Sequence, residues 1–247
     1  MSQAIPYCGL APVPGELLTR FNLDPLLIAA LAALLVWHWA RASGRHGRYL
    51  AAAGWLSAAV AFTSPLCALS VALFSARVAQ HMILVLVSAP LIAAAWPKGR
   101  SSRNVVRLWA ATAAFFVALW FWHMPVPYDA TFGSTLVYWS MHVTLFGTAI
   151  VLWRELLHHS AAQTAGVLAA GAVTSIHMGL LGAVLTFAAH PLFYAHLTTS
   201  WLWGLSALRD QQLGGVLMWV PGVGLFLFAA LRSFGRLWRV LESEKAL

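Results

Sequence analysis

Apolar residues run through this chain in long stretches, broken by short polar segments, and not as the one-sided stripe of a surface helix. A hydrocarbon core of about 30 Å takes roughly 20 apolar residues of helix, and such stretches recur seven times. The first follows Asp24-Pro25 and ends near Ala42, and the second covers Tyr49–Ser64, stopped by Pro65. The third runs from Arg77 to Trp96 with Pro90 as an expected kink, the fourth covers Leu108–Met124 and the fifth Thr135–Trp153. The sixth covers Thr164–Ala189, and the seventh runs from Gln212 to Phe234 with Pro221 inside it. The pattern predicts an all-α polytopic bundle of seven transmembrane helices over residues 25–234. Residues 1–24 form an outer segment and residues 235–247 a tail.

The polar breaks orient this bundle. Twelve of the fifteen Lys and Arg fall after the first, third, fifth and seventh stretches, among them Arg41, Arg45 and Arg48, Lys98, Arg100 and Arg103, and Arg236 and Arg239. Cationic loops are retained in the cytoplasm, so the N-terminus is expected outside and the C-terminus inside. Residues 1–24 are Pro-rich and lack the apolar core of a signal peptide. The stretch His190–Gln211, with Phe193, Tyr194, Trp201 and Trp203, reads as an interfacial segment on the outer side. The tail beyond Phe234 reads as a short amphipathic helix.

Composition agrees and narrows the class. The chain is 61% hydrophobic and only 9% charged, against about 25% charged in a soluble domain. A soluble enzyme, a disordered chain and a secreted disulfide scaffold are excluded. The net charge of +8 is absorbed by topology, so no nucleic-acid partner is implied; the lipid bilayer is the surrounding partner. Cys8 and Cys67 both fall on the outer side, where a disulfide is the ordinary state and a pair of free thiols ligating metal the alternative.

Candidate chemistry lies in the neutral polar residues. Ionisable groups inside a span are costly and point to function. His38, His46, His158 and His159 sit at cytoplasmic ends and read as solvated or interfacial. The other histidines gather in the outer half. His81 is one turn below Arg77, roughly 6 Å along the helix, His142 is two turns into the fifth span, and His177 lies near the middle of the sixth. His123 ends the fourth span, and His190 and His196 are in the outer loop. Four of the five methionines after Met1 adjoin a histidine, in His81-Met82, His123-Met124, Met141-His142 and His177-Met178; the fifth is Met218. Imidazole with thioether is the donor mix suited to copper, above all Cu(I). A lone intramembrane histidine ordinarily bonds helix to helix and methionine fills gaps. It is convergence at one depth that points to a site.

Two further clusters stand out, Trp122-His123-Met124-Pro125 through Tyr128-Asp129, and Asp210-Gln211-Gln212-Leu213-Gly214-Gly215 leading to Met218-Trp219 and Pro221-Gly222. Asp210 either accepts a hydrogen bond from a metal-bound histidine or caps the seventh helix. The Gly214-Gly215 pair permits close helix approach. Both lysines, Lys98 and Lys245, lie outside the spans, which removes a retinal Schiff base. No pattern of a hydrolase is present.

Together the Phe74–Met82 stretch, the Trp122-His123-x-Pro125-x-x-Tyr128-Asp129 element, His142 and the Asp210–Gly222 element resemble the CtaG family, over residues from about 25 to 232. The resemblance implies a seven-span assembly factor for caa-type cytochrome c oxidase in the bacterial inner membrane, with oxidase subunits as partners and copper as the metal handled. Residues His81, His123, Asp129, His142, Asp210, Gln211, Gln212 and Met218 match family motif positions. Two positions depart: Arg77 stands where the pattern carries the first histidine of a His-x-x-x-His pair, and Arg209 where an acidic residue is usual. The expectation is a non-enzyme that binds Cu(I) through His81, His142, His177, Met218 and His123, with Asp129, Asp210, Gln211 and Gln212 in support. The rivals are a membrane cytochrome holding haem between histidines of two helices and a metal-free chaperone that docks oxidase subunits.

Overall fold

The computed structural model describes residues 5–97, 105–159 and 163–245; Lys98, Arg100 and Arg103 lie outside them. Among the described residues all regular structure is helical. The first helix, α1 (Pro25–Arg41), starts where proline's fixed φ suits a first helical position and Asp24 accepts the Leu26 N–H at 2.9 Å. Next come α2 (Gly44–Thr63) and α3 (Pro65–Ala72), joined at Ser64-Pro65 with a bend of 51°. The second span thus begins five residues before the expected Tyr49. Pro65 ends it by starting a new helix in a new direction.

A central rod follows: α4 (Phe74–Met82), a π-helical turn over Ile83–Ser88 and α5 (Ala89–Ala95). The expected kink at Pro90 is instead this wide turn. Pro90 has no N–H for the preceding turn, and π-turns absorb such breaks in the ladder. Helices α6 (Val105–Trp122), α8 (Thr135–Leu157) and α9 (Thr164–Thr186) follow the fourth, fifth and sixth apolar stretches, while α7 (Pro125–Gly133) is an additional short helix. The last helix, α10 (Ala207–Lys245), is 39 residues long. It runs unbroken past residue 234, so the tail continues the seventh span rather than forming a separate helix.

Five of these helices are long and apolar enough to cross a membrane: Phe74–Ala95, Val105–Trp122, Thr135–Leu157, Thr164–Thr186 and Ala207–Ala229. Counting the bent α2–α3 pair as one span makes six. The expected first span falls short because α1 has 17 residues, about 25 Å of helix against a core of about 30 Å.

The rod is enclosed by α2, α8 and α10. Helices α9 and α10 pack closest, and glycine makes it possible. A Cβ on Gly182 would lie 2.9 Å from the Gly215 carbonyl oxygen, and one on Gly215 would lie 2.7 Å from that of Gly182. His38, expected to be solvated, is fully buried: the Trp55 Nε1–H donates to its Nδ1 at 3.1 Å, and Trp96 packs 4.8 Å away.

Candidate functional site

Three buried histidines meet at the end of the bundle where α4 begins. His81 projects from α4, His142 from α8 and His123 from the turn that ends α6. The His81 ring lies 5.2 Å from that of His142 and 5.8 Å from that of His123, edge to face in both cases. The Nδ1–H of His142 donates to the Tyr138 carbonyl at 3.0 Å, and that of His123 to the Leu119 carbonyl at 2.7 Å. A carbonyl at Nδ1 assigns the proton there and leaves the lone pair on Nε2. Both Nε2 atoms, and both ring nitrogens of His81, have no hydrogen-bond partner. Buried polar atoms are nearly always paired, so four such nitrogens in one cluster are exceptional. Among the described residues, no three His, Cys, Asp or Glu side chains are gathered to hold a metal ion as they stand.

One turn above His81, Arg77 is only 1% exposed. Its Nε donates to the Ser70 carbonyl at 3.3 Å and its Nη1 to the Thr131 hydroxyl at 2.8 Å. The rings of Phe132, Tyr128 and Tyr138 surround the guanidinium at 4.3, 5.5 and 5.7 Å. Aromatic faces attract a desolvated cation. Arg77 therefore takes part in packing rather than ligation.

A disulfide joins Cys8 to Cys67, with Cα atoms 5.5 Å apart. The Tyr138 hydroxyl lies 3.3 Å from the Cys8 sulfur and 3.9 Å from that of Cys67. The Tyr138 ring lies 4.3 Å from His142 on one side and stacks on Tyr7 at 4.9 Å on the other. Tyr7 donates its hydroxyl proton to Asp24, and this bond holds the Asp24 carboxyl below its usual range. His142 also forms the back of a groove of about 580 Å³ lined by α1, α2 and α8, including Leu27, Leu31, Trp139 and Phe146.

The remaining expected site residues lie elsewhere or do other work. His177 is half-buried and packs on Phe116 at 4.1 Å between ring centres, away from the three histidines. Met218 is fully buried, and it shares an α10 face with Asp210 and Gly214 by the four-residue helical repeat. Met178 lies where a Cβ on Gly222 would be, and Met124 is half exposed. Asp210 neither reaches a histidine nor caps its own helix. Its carboxylate accepts the Phe74 N–H at 2.6 Å, the Ser75 N–H at 3.1 Å and the Ser75 hydroxyl, and so caps α4 from across the interface. Ser206 takes the capping role on α10, accepting the Arg209 N–H at 3.3 Å. Arg209 itself is exposed.

Gln211 accepts the Leu192 N–H at 2.7 Å and donates to the Leu185 carbonyl at 3.2 Å, fixing the loop before α10, while Gln212 is half-buried. That loop is partly exposed, at Tyr194 and Trp201, and partly core: Phe193 stacks on Phe74 at 4.3 Å. His196, read in the outer interfacial segment, is buried, and its Nε2 shares a hydrogen bond of 2.7 Å with the Tyr128 hydroxyl. Burial first, and the Arg77 charge after it, push His196 down to about 3. Asp129 accepts the Ala195 N–H at 3.4 Å, and burial raises its carboxyl. Nothing in the sequence pairs Tyr128 with His196, which lie 68 residues apart.

A family model described as the cytochrome c oxidase caa3 assembly factor matches residues 30–240. No curated protein matches the chain, and no solved structure does.

Proposed function

This chain belongs to the cytochrome c oxidase caa3 assembly factor family, and from that premise we propose that it carries Cu(I) as cargo on His81, His123 and His142 and hands it to an oxidase subunit. One observation carries the reading: three buried rings from three elements present four nitrogens with no partner. Two of the rings are held by backbone carbonyls at the opposite nitrogen, as metal-ligating histidines usually are. Imidazole suits copper, and the fully buried Met218 adds a soft thioether on the α10 face that Asp210 and Gly214 press against α4.

The reading includes seven spans in the bacterial inner membrane with the N-terminus outside. Helix α1, at 17 residues, sits at the lower limit for crossing. The cation bias favours this orientation. The disulfide supports it as well: Cys8 and Cys67 share one face, so the chain between them crosses an even number of times, and disulfides persist on the oxidising side. The groove behind His142 offers a lateral way out toward a membrane-embedded subunit.

Purified protein in detergent, loaded with Cu(I) and counted, tests the assignment. Wild type is expected to retain the ion, His81→Ala with His142→Ala to lose at least tenfold in affinity, and His177→Ala to load as wild type does. Equal loading of the double variant and wild type overturns it.

A further inference from the structure

We propose that Cys8 and Cys67, once reduced, form a second Cu(I) site of two thiolates at the mouth of the histidine cluster. The disulfide has surroundings that a structural staple does not need. The Asn22 Nδ2–H donates to the Cys67 sulfur at 3.6 Å, and the Tyr138 hydroxyl reaches both sulfurs at 3.3 and 3.9 Å. Disulfide sulfur is a weak acceptor and gains little from such donors. A thiolate gains much more, because hydrogen bonds to a charged form favour it.

Both cysteines are also held in place independently of their bond. Cys67 is fully buried near the start of α3. The segment bearing Cys8 is tied by Tyr7 to Asp24 and by the Trp203 Nε1–H to the Pro12 carbonyl at 3.2 Å. Opening the bond therefore leaves two sulfurs side by side. Cys8 is half-buried, which leaves one sulfur within reach of a partner thiol.

The chemistry balances with a dithiol protein as reductant. Its thiolate attacks the half-buried Cys8 sulfur, its second thiol resolves the mixed disulfide, and its own pair ends oxidised. Two electrons and two protons pass to Cys8 and Cys67. Cu(I) then displaces both protons and stays in the +1 state throughout, because soft thiolates select it. From there the Tyr138 ring, 4.3 Å from His142, leads to the cluster. Only this inward transfer rests on the function proposed above; the thiolate site stands on its own donors.

The test loads the full-length protein with Cu(I), supplied as a chelator complex, in oxidised form and after a phosphine reductant. Reduced wild type is expected to bind one more ion per chain than oxidised wild type, with copper–sulfur scattering in its X-ray absorption spectrum. Cys8→Ser with Cys67→Ser removes the increment in both conditions. The triple variant His81→Ala, His123→Ala and His142→Ala keeps it, so a failure of the histidine reading is told apart from a failure of this one. Equal loading in the two redox forms overturns the proposal. So does reduced protein in which a maleimide finds no free thiol.

Discussion

Two buried polar clusters touch α4, one at its first turn and one at its last, roughly 10 Å apart along the helix, and they are finished to different degrees. Around Asp210 every contact closes: its carboxylate meets two N–H groups and a hydroxyl, and Gln211 spans a carbonyl and an N–H. Around His81 four nitrogens remain open. Both clusters are buried and polar, yet one closes its hydrogen bonds between helices and the other leaves four nitrogens unpaired. Burial alone does not separate the two, whereas counting hydrogen-bond partners does.

The contrast is broken most sharply at Asp210. Asp210→Ala leaves three buried donors on α4 unpaired, and unpaired buried groups cost about 1–3 kcal/mol each. A loss of roughly 3 kcal/mol or more is expected in thermal unfolding of the detergent-solubilised protein; an unchanged midpoint would mean the cap is not structural. A smaller effect is expected on acidification. His196 is held down to about 3 in the folded protein, against about 6.5 when unfolded. The unfolded chain therefore binds the extra proton first, and this stabilisation is complete above 6.5 and lost as pH falls toward 3. His196→Phe should flatten that part of the stability–pH curve.

The smallest effect belongs to the open cluster. His142→Leu removes an orphaned nitrogen together with one paired to a carbonyl. The expected change in unfolding midpoint is within what about 1 kcal/mol produces, in either direction, while Cu(I) loading falls. A large destabilisation would place His142 with Asp210 among the structural residues.

Much of this was legible in the sequence, for reasons particular to each residue. Long apolar runs locate the six later helices because chain length in a bilayer is nearly dictated by thickness. Depth along a helix places His81 and His142 at one level. The same reasoning fails for His177: it packs on Phe116, seven residues before His123 and so about two turns deeper than the cluster. The nine residues of α7 are too few to show a period. Neither reading of Asp210, as partner of a metal-bound histidine or as cap of its own helix, reaches its actual role, because sequence reveals neighbours along the chain, whereas the helix it caps lies 136 residues away.

The π-helical turn at Ile83–Ser88 sets the phase of the rod. One surplus residue in a turn offsets everything upstream by about 100° around the axis relative to a continuous α-helix. His81 and Arg77 owe their inward bearing to that offset, just as Ala89 and Ile92 owe theirs to the regular turns beyond it. Deleting a single residue within Ile83–Ser88 would leave the span long and apolar yet rotate its upper half by about a quarter turn. The histidine would then swing out of the cluster without any change to its own neighbours in sequence.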